Sequence, residues 1–228
     1  MVLIAVLSAG LLLAAQVGDS AQQAVSSRPT PGQPPAPIRI DLGKRGELII
    51  DGKPRFIRAG YRSGQVDRFV DALPSAREAG FDMVHDYRFE AMEVAKVGIQ
   101  RYVQEARLYL RKAEQLGLGV FLGLPRDAVR AADEPALEKI VTALSKERAL
   151  WMWYIYDEPS EATLGIEQAS SVYTLLRRLD PNRPSVMLVN RVPEMLRYPA
   201  FCDVLWYDKY PIVATSEELS SLAPIAGA

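Results

Sequence analysis

Two adjacent carboxylates, Asp157 and Glu158, follow the run LWMWYIY at residues 150–156 and precede Pro159. An uninterrupted apolar and aromatic run of this length is typical of a buried strand. We expect its Trp and Tyr side chains to form an aromatic surface at the strand end, where flat apolar faces suit the stacking of sugar rings. A carboxyl group shielded by such a surface binds its proton more tightly, as a general acid must. The sequence therefore predicts that Glu158 is a catalytic residue and that Asp157 belongs to the same substrate-binding site.

The tripeptide Asp-Glu-Pro also occurs at residues 133–135, where it follows AVRAA. A segment with helical spacing comes directly after this copy. Acidic residues at the start of a helix complement the helix dipole, and Pro suits its first turn. We therefore predict that residues 133–135 cap a helix. The same explanation is the alternative for Glu158, which would then cap the following helix together with Ser160.

Polar side chains follow several other predicted strands. In a barrel of parallel strands the carboxyl ends meet at one rim, and the catalytic residues of such barrels lie there. We therefore predict one substrate-binding cleft that collects, besides Asp157, the residues Tyr61, Arg62, His85, Asp86, Asn190, Asp208 and Tyr210.

His85 is the single histidine and Cys202 the single cysteine, so no intramolecular disulfide can form. A lone histidine near an apolar strand is more often a hydrogen-bonded wall residue than a base. A zinc site normally needs several His or Cys ligands, and we predict no metal and no cofactor. An oxygen-only magnesium site is the alternative, with the candidate ligands Asp86, Asp157, Glu158 and Asp208.

Six apolar runs are predicted strands, and amphipathic segments separate most of them. The runs are FIRAGYR (56–62), FDMVHDY (81–87), GVFLGLP (119–125), LWMWYIY (150–156), PSVMLVN (184–190) and DVLWYD (203–208). Before them, Asp51-Gly52 predicts a tight hairpin turn, and the second run of this hairpin is expected to continue inward as a core strand.

Three segments between these strands repeat apolar residues at the spacing of a helix face. The first ends at Gly117, a typical helix C-terminal residue, and the third ends at DPNRP (180–184) because Pro181 forces its predecessor out of helical geometry. Their apolar faces are Tyr102, Ala106, Tyr109, Ala113 and Leu116; Leu137, Ile140, Val141 and Leu144; and Ala169, Val172, Tyr173, Leu176 and Leu179.

Apolar strands that alternate with amphipathic helices indicate a parallel sheet covered by helices. AGYRSGQ, after the first strand, lacks a glycine-rich phosphate loop, and polar residues end several strands, so we favour an α/β barrel of the (β/α)8 type over a doubly wound sheet. Closure needs eight strands, so we expect an incomplete barrel of about six β/α units with an N-terminal hairpin. A fragment, a barrel completed by another chain and an open sheet are the alternatives, and self-association through the open edge is expected.

The composition is that of an ordinary globular protein with one sizeable core: 228 residues, 49% hydrophobic, 24% charged and a net charge of −1. The chain has no basic excess, so nucleic acid is excluded as a partner class.

The N-terminal residues predict export. Residues 1–24 resemble a signal peptide or N-terminal anchor, with a mis-assigned start codon as the alternative, and the Pro-rich residues 25–37 predict an extended linker. The folded domain is then 38–228, the protein is secreted or periplasmic, and contact with a membrane is expected only through an uncleaved N-terminal segment.

The order of these pieces resembles the barrel-type glycoside hydrolases of clan A across residues 46–212. The likeness rests on ELIIDGKPRFIRAGYR (47–62), WMWYIYDEP (151–159), DPNRP (180–184) and DVLWYDKYP (203–211). The resemblance implies carbohydrate as the partner and Glu158 as the acid/base of O-glycosyl hydrolysis in the complete enzyme. It departs at Asp157, where the family usually has Asn, and the sequence matches no seventh strand carrying the nucleophile.

Two aspartates are candidates for the second carboxylate that glycoside hydrolysis needs. Either Asp86 or Asp208 could face Glu158 and activate water, as in an inverting pair, although such residues also pair with cations such as Arg62 or Lys209. Without a nucleophile we expect this chain to be inactive. The alternative function is a non-catalytic carbohydrate-binding or interaction protein with a degenerate barrel.

Overall fold

The computed structural model describes residues 39–45, 47–61 and 72–208. The predicted signal peptide and linker lie outside these residues, and so do Arg62 and Tyr210. Within the described part of the chain, no helix combines the length and apolar character needed to cross a bilayer.

Three short strands form an antiparallel sheet: β1 (Ile40–Leu42), β2 (Leu48–Ile50) and β3 (Lys53–Arg55). Asp51 and Gly52 connect β2 to β3 with φ angles of 48° and 76°, so the predicted tight hairpin is confirmed. The structure differs in two respects. Strand β1 pairs with β2 and was not predicted, and β3 is exposed instead of continuing into the core.

The described part of the chain confirms the six predicted strands of a parallel sheet, paired in chain order. Their bounds are β4 (Ala59–Gly60), β5 (Met83–Val84), β6 (Gly119–Gly123), β7 (Leu150–Asp157), β8 (Ser185–Val189) and β9 (Val204–Tyr207). The sheet is curled, because the rings of Phe121 on β6 and Trp206 on β9 meet at 4.9 Å although two strands separate them. The fold is therefore a half-barrel.

Helices cover the convex face of the half-barrel. They are α1 (Ala72–Glu78), α2 (Arg88–Ala91), α3 (Val94–Val97), α4 (Ile99–Gln115), α5 (Arg126–Ala131), α6 (Glu134–Leu144), α7 (Ile166–Leu179) and α8 (Val192–Arg197). Helices α4, α6 and α7 are the three predicted ones, and Gly117 ends α4 with a φ of 68°. The other helices are one or two turns long, too short for a periodic pattern to reveal.

Two apolar clusters stabilise this architecture. The larger one packs the helices against the sheet and includes Tyr102, Ile140 and Trp153. The smaller one fills the concave side, where Ile40, Leu48 and Ile50 of the antiparallel sheet pack with residues of β5 to β9. Because the Ile40 amide donates to the carbonyl of Asn182, which precedes β8, the small sheet closes the amino-terminal end of the half-barrel. The carboxyl-terminal end faces away from it.

The aromatic run of β7 is buried, which corrects the expectation of an aromatic surface at the strand end. Trp151, Trp153, Tyr154 and Tyr156 are at most 8% exposed. Trp153 lies on the helix side and donates its Nε1–H to Asp180 Oδ2 at 2.9 Å. A central parallel strand is covered on both faces, so its aromatic side chains serve the core.

Candidate active site

Asp157 is the last residue of β7, and the chain turns sharply at the next residue, Glu158. Glu158 has a φ of 48°, a left-handed conformation that is uncommon for residues other than glycine. Its amide donates to the carbonyl of Leu188 on the neighbouring strand at 2.9 Å, which holds the turn in place. Such backbone strain persists only where the surrounding structure imposes it, and it is concentrated at functional sites.

Glu158 is partly exposed at the carboxyl-terminal rim, in surroundings that favour its protonated form. Burial raises the pKa of the Glu158 carboxyl most, followed by the charge of Asp157 and, more weakly, that of Asp208. The polar side chain of Asn190 and the charge of Arg126 lower the pKa, but the net direction is upward. A carboxyl group whose pKa is raised is better suited to act as a general acid.

The strand ends bring four of the proposed site residues together. Asn190 follows β8, and Asp208 follows β9, where its amide donates to the carbonyl of Val189 at 2.8 Å. Both influence the pKa of the Glu158 carboxyl, as does Asp157. The rule that parallel strands end at one rim therefore locates Asp157, Glu158, Asn190 and Asp208 as neighbours.

Asp157 is surrounded by donors. Its Oδ1 accepts hydrogen bonds from the hydroxyls of Tyr61 at 2.6 Å and Tyr154 at 2.8 Å. Its Oδ2 accepts from the hydroxyl of Tyr87 at 2.8 Å and lies 3.4 Å from the Arg126 guanidinium. We call Tyr61, Tyr87 and Tyr154 the tyrosine cage.

The cage hydroxyls also touch one another. The oxygen of Tyr61 lies 2.6 Å from that of Tyr87 and 2.7 Å from that of Tyr154. Burial is the largest cause that raises the pKa of each of the three hydroxyls above its ordinary value. The tyrosines therefore keep their protons and remain donors. Tyr61, a predicted substrate-binding residue, points its hydroxyl at Asp157.

His85 and Asp86 are both buried, at 2% exposure each. The His85 ring stacks between Tyr61 at 4.9 Å and Phe121 at 4.7 Å, and its Nε2 lies 2.5 Å from Oε1 of Glu90. Asp86 accepts a hydrogen bond from the Arg88 amide at 2.9 Å. The structure thus places these two predicted site residues beneath the rim, without a surface for a ligand.

Three residues around the site were not predicted from the sequence: Tyr87, Glu90 and Arg126. Arg126 bridges the acidic groups, with its guanidinium 3.3 Å from Glu90 Oε2 and 3.4 Å from Asp157 Oδ2. It begins α5, just after β6. The strand-end rule also applies to LPRD (124–127), so Arg126 could have been predicted as a site residue from the sequence. Glu90 could not have been, because it lies on a short helix.

The structure also decides two alternatives for the acidic residues. Helix α7 begins at Ile166 with Gly165 as its N-cap, and Ser160 instead accepts from Thr163 and Leu164 in a separate turn, so the helix-cap explanation for Glu158 is wrong. Among residues 39–45, 47–61 and 72–208, no three His, Cys, Asp or Glu side chains are grouped closely enough to hold a metal ion. The four acidic candidates for magnesium therefore form no such site.

No protein-family model matches the chain, and no curated protein matches it. Solved structures do share its fold. A beta-glucuronidase from an uncultured Clostridium sp. matches with a TM-score of 0.54 and 18% identity over 76% of this chain and 32% of its own. A GH2 beta-galacturonidase from Eisenbergiella tayi, bound to galacturonate, matches with a TM-score of 0.54 and 17% identity over 77% and 32%. The Parabacteroides merdae beta-glucuronidase matches with a TM-score of 0.55 and 14% identity over 79% and 24%.

At these identities the likeness establishes the fold. The half-barrel and its hairpin sheet are similar to part of glycoside hydrolase structures, as the sequence resemblance predicted at this level. This chain spans about a third or less of the length of those proteins.

Proposed function

We propose that this domain binds carbohydrate at the carboxyl-terminal rim of the half-barrel and that Glu158 is the general acid/base of O-glycosyl hydrolysis. The observation that carries the proposal is the setting of Glu158. Its carboxyl is partly exposed at the rim and has a pKa raised by burial and by the charge of Asp157. We also propose, from the sequence resemblance, that the half-barrel is an incomplete (β/α)8 barrel of the clan A type.

The chemistry assigned to Glu158 is proton transfer to and from oxygen. The protonated carboxyl donates to the glycosidic oxygen as the C–O bond breaks, and the leaving group departs as an alcohol. Water then adds to the sugar carbon and loses a proton to a carboxylate. Asn190, at the end of the neighbouring strand, favours the ionised form of Glu158 that accepts the proton back.

Asp208 is the better of the two proposed second carboxylates. Asp86 is buried and bonded to the Arg88 amide, so it cannot reach a sugar. Asp208 is partly exposed and acts on Glu158 electrostatically. In an inverting reaction Asp208 would activate water, whereas a retaining reaction needs a nucleophile about 5 Å from Glu158, which we leave unassigned.

The choice of ligands to test follows from the structural neighbours. Two of them are named as beta-glucuronidases and a third as a beta-galacturonidase bound to galacturonate. We therefore propose that uronides be tested beside neutral glycosides. Arg126 does not by itself favour an acidic sugar, because Glu90 and Asp157 already engage its guanidinium.

A non-catalytic carbohydrate-binding protein is the second candidate function. The observation that favours it is the state of Asp157, whose carboxylate already accepts from the tyrosine cage and contacts Arg126. Such a carboxylate offers no free acceptor to a sugar hydroxyl. Recognition would then rest on Glu158, Asn190 and Asp208.

One experiment separates these functions. Turnover is followed as release of 4-nitrophenol from a panel of aryl glucosides, galactosides, glucuronides and galacturonides, and binding of the free sugars by calorimetry. For an enzyme, Glu158→Gln should lower kcat/KM about 100-fold or more. The matched control is Glu134→Gln, in the exposed second copy of Asp-Glu-Pro, which should leave turnover unchanged.

The outcomes are distinct. Turnover that Glu158→Gln abolishes supports the hydrolase, and binding without turnover, weakened by Asn190→Ala, supports the binding protein. Turnover unaffected by Glu158→Gln contradicts the assignment of Glu158. Neither turnover nor binding across the panel would refute both functions.

Export is a separate proposal that rests on residues 1–24. Expression with a C-terminal tag, followed by fractionation and N-terminal sequencing, tests it. A mature protein outside the cytoplasm that starts directly after Ala15, Gly18 or Ala21, the candidate last residues of the signal peptide, supports export, and an intact N-terminus in the cytoplasm contradicts it.

A further inference from the structure

Donors from four side chains crowd the carboxylate of Asp157 on both of its oxygens. A carboxylate offers about four lone-pair directions. Tyr61 and Tyr154 donate to Oδ1, while Tyr87 donates to Oδ2 and Arg126 lies 3.4 Å from it. A sugar hydroxyl could bind this group only by displacing one of these donors.

These donors are fixed by separate elements of the half-barrel. Tyr61 follows β4, Tyr87 follows β5, Tyr154 lies within β7 and Arg126 begins α5. Tyr61 is further held by ring contacts with His85 at 4.9 Å and Tyr87 at 5.1 Å. The cage is therefore a built part of the fold, and substrate need not arrive for it to form.

The cage supplies hydrogen bonds without supplying charge. Its three hydroxyls stay neutral, because burial raises their pKa values. Arg126 is the cation at Asp157, but it is shared with Glu90, whose side chain is 1% exposed. Among the described residues, one arginine thus faces two carboxylates.

We propose that Asp157 is a positioning residue that makes no contact with substrate: the tyrosine cage and Arg126 hold its carboxylate in place next to Glu158, as a fixed negative charge beside the acid. The inference rests on the proposed function, in which Glu158 is the acid. It replaces the expectation that Asp157 binds substrate directly. Within the described part of the chain, the charged groups with the largest influence on the Glu158 pKa are Asp157 and Asp208, which raise it, and Arg126, which lowers it.

The test measures the ionisation of the Glu158 carboxyl in the protein without ligand. Carbon-13 NMR follows the side-chain carboxyl resonances through a pH titration, and the Glu158 resonance is identified by its loss in Glu158→Gln. We expect Asp157→Asn to lower the Glu158 midpoint by about one pH unit. Asp208→Asn is the matched control, since it also removes one nearby charge, and it should lower the midpoint by less. An unchanged midpoint in Asp157→Asn, or a larger shift in Asp208→Asn, would overturn the inference.

Ligand affinity tests the second half of the inference. If Asp157 does not touch substrate, Asp157→Asn should bind the sugar found in the panel within about threefold of the unsubstituted chain. A loss of tenfold or more would make Asp157 a direct ligand and overturn the proposal. If no sugar binds to any variant, the proposed function fails, whereas the NMR titration still decides whether Asp157 controls Glu158.

If Asp157→Asn does not fold, the salt dependence of the Glu158 titration tests the inference without a substitution at residue 157. Raising the ionic strength from about 0.01 M to about 1 M shortens the Debye length from about 30 Å to about 3 Å. Salt screens the charge of Asp157, so the titration midpoint of Glu158 should fall in the unsubstituted chain. It should fall also in Asp208→Asn, where the charge of Asp157 still adjoins Glu158. A midpoint that does not respond to salt in Asp208→Asn would overturn the inference.

Discussion

The two copies of Asp-Glu-Pro have the same side chains and opposite environments. At residues 133–135 all three are exposed, and Asp133 is the N-cap of α6, accepting from the Ala136 amide at 3.1 Å. The prediction that this copy caps a helix is confirmed. At residues 157–159 the proline is buried, and Asp157 accepts from three tyrosine hydroxyls instead of a backbone amide.

The element before and after each copy explains the difference. A helix start leaves backbone N–H groups without partners, and an aspartate at that point bonds to them at once. The end of a central parallel strand leaves no such groups, because its neighbours satisfy the ladder. Asp157 therefore takes its donors from side chains on other elements, and Glu158 is left at the rim. The same tripeptide caps a helix in one place and lines a candidate active site in the other.

We expect the largest loss of stability when Asp157 is replaced, and a smaller loss when Asp133 is replaced. Asp157→Ala removes the acceptor of three phenol hydroxyls and leaves Arg126 with one carboxylate, so it should lower the free energy of unfolding by about 2–3 kcal/mol. Urea denaturation followed by circular dichroism measures this. Asp157→Asn, which keeps an acceptor oxygen, should cost less. Equal losses in the two variants would show that the cage does not depend on hydrogen bonds to Asp157.

Asp133→Ala should have a smaller and purely local effect. Loss of a capping side chain costs about 1 kcal/mol, and Asn, which also caps, should restore most of it. The same urea experiment measures both variants. The Glu158 titration should not move in either variant, and a shift there would contradict the independence of the two copies.

The smallest effect concerns the pH dependence of stability. Because the pKa of Glu158 is raised above its ordinary value of 4.5 in the folded protein, the folded state holds this proton more tightly than the unfolded chain. As the pH rises from the ordinary pKa to the raised pKa of the folded protein, ionisation of this carboxyl therefore destabilises the fold increasingly. Glu158→Gln should be more stable than the unsubstituted chain at pH 7, by a difference that solvent screening of this partly exposed group keeps small, and no more stable below the ordinary value.

Glu134→Gln is the control for this pH effect. Glu134 is exposed and lies 2.5 Å from Arg178, an ion pair of the kind that contributes little. Thermal unfolding at several pH values compares the two Glu→Gln variants. A stabilisation of Glu134→Gln at pH 7 equal to that of Glu158→Gln would remove the distinction between the copies.

The parts of the site that the sequence revealed are those that follow from position along a strand. Glu158, Asp157, Asn190 and Asp208 each come directly after a predicted strand, and parallel strands bring such residues to one rim. His85 and Asp86 follow the same rule, yet they lie beneath the rim. Strand β5 is two residues long, and the chain turns into α2 before the two side chains reach the surface.

The sequence by itself determined the alternation of apolar strands with amphipathic helices, the hairpin at Asp51-Gly52 and the cap at Asp133, because each depends on residues close together in the chain. Only the tertiary structure decided that the aromatic residues of β7 are buried and that Tyr61, Tyr87 and Arg126 converge on Asp157. These residues come from separate strands and helices, so their contacts depend on the curl of the sheet. That curl is set by packing on both of its faces, which local sequence patterns do not encode.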